Sequence, residues 1–366
     1  MAKLTRIAAC HASPIFLSAK GTTAKAISLI QEAARNKANL VVFPESYIPA
    51  FPIWSALRAP TENHDLFKRM AKESIYVDGD EINAIRATAK QFNVLVSMGF
   101  SEKVRYSSAT LFNSNLLIGT DGEILVHHRK LMPTFYEKLT WAPGDGHGLQ
   151  VADTQFGKIG ILICGENTNP LARYALTAQG EQIHISSWPA IWPTRVPQGV
   201  VSTPSNGVAE SNGTDGKAAQ SSVARGVNYD NVAANRTRAA AHCFEAKCFG
   251  VLCAGYLGAD AIETTSSGSS APEFVSQALQ LSSRGATMFL DTTGTLLPGF
   301  TIDAETSIRE QKDLLQEKEG ILYVDVNLED CIEGKQYHDI AGGYQRFDVF
   351  ELKVDRRRRQ PVTFES

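Results

Sequence analysis

Three apolar segments of the sequence each end in a residue that can take part in chemistry. Glu45 ends "VVFPE", Lys130 and then Glu137 follow "ILVHH", and Cys164 ends "IGILIC". In α/β proteins the loops at the carboxyl ends of strands project side chains into a common crevice, so sites form there. Taken singly, each residue also fits an ordinary structural role as a solvated acid, a surface ion pair or a buried thiol.

A cysteine, a glutamate and a lysine together favour nucleophilic catalysis. A thiol with an ordinary pKa is only slightly ionised at neutral pH, so a nucleophilic Cys164 needs a base or a nearby cation. Glu45 can accept the proton, and Lys130 can stabilise the negative charge that develops on the attacked group. This set is suited to attack on a polarised carbon–nitrogen bond. It needs no histidine, which separates it from the Cys–His proteases.

The elements that must position these residues alternate along the chain. Residues 4–10 and 39–43 are predicted as strands, and the apolar residues of 22–35 recur at helical spacing. Residues 158–164 are predicted as a further strand, and 111–125 as a hairpin with Thr-Asp-Gly at its turn. The alternation predicts an α/β fold built in layers.

Composition narrows the class of protein. The chain has 366 residues, of which 43% are hydrophobic, so it can bury a large core, and its net charge of −3 gives no electrostatic basis for binding nucleic acid or an anionic membrane. The N-terminal segment lacks the apolar core of a signal peptide, and no run reaches membrane-spanning length. The six cysteines show no zinc-ligand spacing and are expected to be free thiols. We therefore expect a cytoplasmic protein without a metal.

We expect residues 1–350 to form a single domain, because no clear linker divides them. Residues 198–230 are rich in Ser, Gly, Asn and Ala and are predicted to be a loop insertion, since they carry too little apolar area to offset their ordering entropy. Residues 351–366 are predicted to be a C-terminal tail. Its basic run 356–359 is expected to be solvated or to contact a partner subunit.

Three longer segments carry a resemblance to a known family. They are "LVVFPESYIPAFPIW", "HHRKLMPTFYEKLTWAPGDG" and "GILICGENTNPLARYALTAQGEQIHISSWPAIWP". They resemble, in the same order, the three catalytic blocks of the nitrilase superfamily, and the resemblance runs from about residue 4 to about residue 350. "NPLARYAL" and "GEQIHISSWP" are closest to the nitrilase branch.

The resemblance implies a catalytic triad of Glu45, Lys130 and Cys164, with Glu137 as a second, structural glutamate. It also implies a four-layer α-β-β-α sandwich, a homodimer or a larger helical oligomer, no cofactor, and hydrolysis of an organic nitrile to the carboxylic acid and ammonia. The alternatives are an amidase or carbamoyl-amide hydrolase of the same superfamily, a cyanide hydratase that stops at the amide, and a non-catalytic homologue. The last is disfavoured because all three triad residues are present.

Five further residues are predicted to lie in or near the substrate site. They are Gly165, Glu166, Trp188, Trp192 and His128. Nitrilases commonly have Trp where this chain has Gly165, so substrate preference is expected to differ there. "GGYQRFD" at 342–348 likewise departs from the common "GHYSRPD". His128 is predicted to be a hydrogen-bonding residue and not a base, while the two tryptophans fit a pocket wall and a core about equally well.

Overall fold

The computed structural model describes residues 4–200, 228–303 and 305–362 as a set of strands joined by helices and short turns. The strands are β1 Leu4–His11, β2 Leu40–Val42, β3 Leu95–Lys103, β4 Leu111–Ile118, β5 Ile124–Arg129, β6 Ala152–Thr154, β7 Gly157–Ile163, β8 Ile183–Trp188, β9 Phe249–Ala254, β10 Thr287–Leu290, β11 Leu296–Leu297, β12 Gly299–Ile302, β13 Arg309–Lys312, β14 Leu314–Leu315 and β15 Gly320–Asn327. The α-helices are α1 Ala19–Arg35, α2 His64–Glu73, α3 Asp80–Phe92, α4 Pro170–Thr177, α5 Asn231–Ala246, α6 Ala259–Ser266, α7 Pro272–Leu281 and α8 Asp330–Tyr337.

The strands form two sheets. One has the order β13-β12-β15-β1-β2-β3-β4-β5, and the other has the order β11-β10-β9-β8-β7-β6, with β14 also paired to β10. Strands β1, β2 and β3 are parallel in the first sheet, as are β7, β8 and β9 in the second. Within each parallel set the carboxyl ends of the strands lie together, and the loops that carry Glu45 and Cys164 leave from such ends.

The alternation of side chains along the strands produces the layers. In β1, Ile7 and Ala9 point into a core between the two sheets, whereas Ala8 and Cys10 point the other way, onto helices α1 and α3. The second sheet faces the same inner core and is covered on its outer face by α5, which packs with Ala239, Cys243 and Ala246. The four-layer α-β-β-α arrangement expected from the resemblance is confirmed.

Local signals set several element boundaries. The predicted hairpin is formed by β4 and β5. The helix predicted over 22–35 begins three residues earlier because Ser18 caps it, its side chain accepting a hydrogen bond from the Gly21 N–H. Of the predicted loop insertion 198–230, residues 201–227 lie outside the described residues. In the described ranges, no helix combines the length and apolar character that crossing a membrane requires.

Part of the C-terminal basic run, residues 356–359, is bound to the rest of the chain and is not fully solvated. Arg358 donates hydrogen bonds to Asp145 Oδ1 at 3.1 Å and to the His127 carbonyl at 2.9 Å, and the Arg359 N–H donates to Asp145 Oδ2 at 2.9 Å. The carboxylate of Asp145 is buried, and a buried anion requires hydrogen-bonding partners. This part of the tail therefore docks against the segment that follows β5, while Arg356 and Arg357 are exposed.

Candidate active site

Cys164 lies where β7 ends and turns sharply. The strand ends at Ile163, and Cys164 opens a 3-10 turn, Cys164–Thr168, with φ at 50°, in the left-handed region that side chains other than glycine rarely adopt. Such a conformation costs on the order of 1–3 kcal/mol and persists only where neighbours hold it. Asn167 does so by donating a hydrogen bond to the Cys164 carbonyl at 3.0 Å.

Lys130 lies between two carboxylates. It follows β5 directly, and its Nζ donates to Glu45 Oε1 at 2.8 Å and to Glu137 Oε2 at 2.6 Å. All three side chains are buried. Burial disfavours the lysine cation, but its acidic neighbours Cys164, Glu137 and Glu45 raise its pKa above the ordinary value, so the ammonium ion is the stable form.

Only one of the two carboxylate oxygens of Glu45 accepts hydrogen bonds from the described residues. Asn113 Nδ2 donates to its Oε1 at 2.7 Å, which is also the oxygen that Lys130 contacts. Among the described residues its Oε2 has no hydrogen-bond partner. Burial raises the pKa of Glu45 to about 7, against the opposing effect of Lys130. A carboxyl with a pKa near neutrality and a free oxygen is suited to proton transfer at physiological pH.

The thiol lies close to both carboxylates. Cys164 Sγ, one oxygen of Glu45 and one oxygen of Glu137 all lie within 4.8 Å of one another. Burial raises the pKa of Cys164, and the charge of Glu45 raises it further, while Lys130 lowers it. A free thiolate is therefore disfavoured before substrate arrives, and ionisation must be coupled to proton transfer to a neighbouring base.

Glu137 is held by its own turn. It lies in the 3-10 turn Phe135–Leu139, where the Thr134 N–H donates to its Oε2 at 3.0 Å. Trp192 Nε1 donates to its Oε1 at 3.1 Å. With both oxygens bound, this carboxylate fixes the position and charge of Lys130.

Glu166 and His128 join two strand ends. His128 Nε2 lies 2.8 Å from Glu166 Oε2, and the carboxylate also accepts hydrogen bonds from the N–H groups of Ile163 at 2.7 Å and Leu131 at 2.6 Å. These bonds tie the end of β7 to the end of β5, which brings Cys164 near Lys130. Neither residue lines the pocket next to the thiol, and their hydrogen bonds favour a positioning role, the kind of role predicted for His128.

A small pocket lies next to the thiol. It is lined by Cys164, Trp188, Pro189, Trp192, Tyr229, Asn231, Asn235 and Arg238. The two tryptophans singled out from the sequence are therefore both pocket-wall residues. Gly165 faces Thr134 instead, since a Cβ at this position would lie 2.6 Å from Thr134 Oγ1.

Sequence reasoning missed Asn113 and Arg238. Asn113 begins a run of three polar residues, Asn113 to Asn115, inside a strand whose other residues are apolar, and buried polar groups need partners, which was a usable signal. Arg238 lies on α5 after the residues predicted to be a loop insertion, and nothing in its neighbours along the chain relates it to Cys164.

Glu45, Glu137 and Cys164 come close enough together to ligate a metal ion. The Lys130 ammonium already lies against both carboxylates, and a second cation there would meet like-charge repulsion. The set is better suited to proton transfer and nucleophilic attack than to metal binding. An α-β-β-α sandwich with this Cys, Glu and Lys at its strand ends has the groups that a hydrolase with a cysteine nucleophile requires.

Comparisons with known proteins agree with this class. The family model for carbon-nitrogen hydrolases matches residues 6–336, and the chain belongs to that family. It is 30% identical to a nitrilase of Penicillium rubens, over 98% of this chain and 95% of that protein, and 29% identical to a cyanide hydratase of Gibberella zeae, over 98% and 88%. The crystal structure of a carbon-nitrogen hydrolase from Helicobacter pylori matches with a TM-score of 0.61 at 19% identity, over 91% of this chain and 92% of that one.

Proposed function

We propose that this protein is a nitrilase that hydrolyses an organic nitrile to its carboxylic acid and ammonia. The observation that carries the proposal is the distance between Cys164 and Glu45: the sulfur lies within 4.8 Å of a carboxylate oxygen. The pKa of this carboxyl is raised to about 7, and its other neighbour is the ammonium group of Lys130. The relatedness to a nitrilase along nearly the whole chain supports it.

In the first half of the reaction, the Cys164 sulfur forms a bond to the nitrile carbon while its proton passes to Glu45. Glu45 then delivers that proton to the nitrile nitrogen, which gives a thioimidate. Lys130 stabilises the negative charge that develops on the nitrogen, and Glu137 holds Lys130 in place. Because the thiol pKa is raised, transfer to Glu45 in the same step avoids a free buried thiolate.

In the second half, water adds to the thioimidate carbon, with Glu45 accepting one of its protons. Glu45 returns that proton to the nitrogen, and the proton of the new hydroxyl group follows it, so that the tetrahedral species expels ammonia and leaves a thioester on Cys164 and an ionised Glu45. A second water, deprotonated by Glu45, attacks the thioester carbon and releases the acid and the free thiol. If the tetrahedral species expels the thiol first, the amide is released instead.

Release of the amide, as by a cyanide hydratase, is the second candidate function. It is favoured by the similarity to the Gibberella zeae cyanide hydratase, which extends over 98% of this chain. An amidase or carbamoyl-amide hydrolase would use the same residues on an amide. The product formed, and not the triad, distinguishes these functions.

We also propose that residues 1–350 act as one domain that associates with further copies of itself. Large apolar side chains are exposed near the C-terminus, which is typical of a contact surface; they are Tyr337, Tyr344, Phe347 and Phe350. The six cysteines are all unpaired, which supports a reducing compartment such as the cytoplasm.

The test is product analysis on matched substrates. Purified protein is assayed with benzonitrile, phenylacetonitrile, a short aliphatic nitrile, cyanide and the corresponding amides, and ammonia, acid and amide are quantified. Acid and ammonia in equal amounts from at least one nitrile are expected, with loss of both in Cys164→Ala. Undiminished turnover by Cys164→Ala contradicts the mechanism, and faster turnover of the amides than of the nitriles contradicts the proposed substrate class.

A further inference from the structure

Arg238 places a positive charge in the wall of the pocket next to the nucleophile. It lies on α5 with Asn231 and Asn235, at positions i, i+4 and i+7, so all three side chains share the helix face that lines the pocket with Cys164. Asn231 is held in place, its Nδ2 donating to the Ser283 carbonyl at 2.8 Å.

The charge of Arg238 has no anionic partner within the described part of the chain. Its Nη1 donates to Asn235 Oδ1 at 3.4 Å, and its guanidinium carbon lies 5.6 Å from the Trp188 ring centre and 5.5 Å from that of Tyr229. Arg173, which lies on α4 and bridges to α5, by contrast forms an ion pair with Glu245 at 2.9 Å. A guanidinium presents a planar fork of donors that matches a carboxylate, so this one is available for a ligand anion.

Arg238 has a smaller effect on Cys164 than Lys130 has: both charges lower the pKa of the thiol, and that of Lys130 lowers it more. Lys130 already lies against Glu45 and Glu137 and serves the reacting atoms. Arg238 makes no hydrogen bond or ion pair with those three residues in the described structure. Its position next to the aromatic walls suits contact with a distal part of the substrate.

The walls of the pocket favour a flat ring. Trp192 is stacked between Tyr136, at 5.3 Å and 26° between ring planes, and Tyr229, at 6.0 Å and 13°. Trp188 and Pro189 complete the apolar lining.

We infer that the pocket takes a small aromatic substrate that carries an anionic substituent, with Arg238 binding the anion and Cys164 attacking the cyano carbon. The inference rests on the proposed nitrile hydrolysis for its reaction, but not for its binding step. A carboxylate on the ring would receive the guanidinium fork while the ring lies against the aromatic walls.

The first experiment measures kcat/KM for benzonitrile, 3-cyanobenzoate and 4-cyanobenzoate in the wild type, Arg238→Gln and Arg238→Lys. At least one cyanobenzoate is expected to be the better substrate of the wild type. Arg238→Gln should lower kcat/KM for that cyanobenzoate about 10- to 100-fold more than for benzonitrile, mainly through KM, because a charge-assisted hydrogen bond is lost. Arg238→Lys should recover part of the preference. An equal loss for charged and neutral nitriles overturns the inference, because Arg238 would then act on the thiol.

The second experiment needs no turnover and so separates this inference from the proposed function. Binding of 3- and 4-cyanobenzoate to Cys164→Ala is measured by calorimetry, with and without Arg238→Gln, after thermal melts confirm that both variants are folded. A Kd at least about tenfold weaker with Arg238→Gln supports the subsite even if no nitrile is hydrolysed. Equal Kd values overturn it even if nitriles are hydrolysed.

Discussion

Two buried clusters of this protein each contain a glutamate, and the pKa values of these two glutamates are shifted in opposite directions. In the reactive cluster of Glu45, Lys130 and Glu137, burial raises the pKa of Glu45 to about 7. In a second, histidine cluster, Glu181 lies with Oε1 2.9 Å from His184 Nδ1 and Oε2 2.5 Å from His242 Nε2. Although burial acts on Glu181 too, the two histidines lower its pKa to about 2.

The difference comes from how completely each carboxylate is bound. Both are buried, so removal from water disfavours both anions. Each oxygen of Glu181 has its own partner, whereas Lys130 and Asn113 both contact Glu45 Oε1 and the charge of Glu137 lies nearby. A fully bound carboxylate is a structural anion, and a partly bound one is ready to exchange a proton.

The histidine cluster nevertheless supports the nucleophile. His184 Nε2 lies 2.8 Å from Asn167 Oδ1, and Asn167 in turn binds the Cys164 carbonyl. The rings of His184 and His242 stack at 3.8 Å, which fixes α5 against β8 behind the reactive turn. We therefore propose that one cluster carries out the chemistry, while the other holds the backbone from which Cys164 projects.

Replacing the glutamate of each cluster by glutamine should show the largest difference between the two clusters. Glu45→Gln is expected to lower kcat about a hundred- to ten-thousand-fold, because the amide cannot accept the thiol proton. It should not destabilise the fold as Glu181→Gln does, because the raised pKa of Glu45 means that the ionised carboxylate is disfavoured in the folded state once pH has risen through about 7. Steady-state assays and urea denaturation at pH 8 test this. Retention of more than a tenth of the activity would remove Glu45 from its role as base.

Glu181→Gln should show the opposite pattern. Loss of the buried anion is expected to cost about 3 kcal/mol or more of unfolding free energy, with kcat per folded molecule reduced less than tenfold. The pKa of Glu181 lies below its ordinary 4.5, so its contribution is present above pH 4.5 and is lost as pH falls toward about 2. Urea denaturation as a function of pH should therefore be flatter over that range in the variant. If the unfolding free energy of the variant depends on pH as steeply as that of the wild type, Glu181 does not have this structural role.

Substitution of Asn113 should shift the pKa of Glu45 while the carboxyl group itself stays in place. The proposed base must be ionised, so kcat/KM is expected to rise with pH through about 7. Asn113→Ala removes a hydrogen bond that stabilises the carboxylate and should move this limb about one unit upward. Asn115→Ala, on the same strand but bound to Ser97 Oγ, is the control and should leave the limb in place. Equal shifts in both variants would speak against a direct effect.

The smallest effect is expected at Gly165. Gly165→Ala brings a Cβ to within 2.6 Å of Thr134 Oγ1, and Thr134 positions Glu137. We expect kcat to fall several-fold, with a smaller fall when the same change is made in Thr134→Ala, because the crowded atom is then absent. A double-mutant cycle, in which kcat is measured for the wild type, both single variants and the double variant, gives this coupling. Independent effects of the two substitutions would show that the contact does not matter for activity.

Much of the reactive cluster was predictable from the sequence. Glu45, Lys130 and Cys164 follow apolar runs that end at strand ends, and such local patterns depend on neighbours in the chain. The partners that tune them were not predictable. Asn113 meets Glu45 because β4 lies two strands from β2 in the sheet, and Arg238 meets the pocket because α5 crosses the outer face of the other sheet.

The sequence by itself determined which groups are available: a thiol, a base and a cation at strand ends, an α/β alternation and free cysteines. Only the tertiary structure decided their chemical state. Glu45 and Glu181 are the same residue type with similar burial, and their pKa values move in opposite directions because side chains distant in the sequence bind one fully and the other in part. Hydrogen-bond partners from separate strands and helices set that difference, and they are fixed by sheet order and packing.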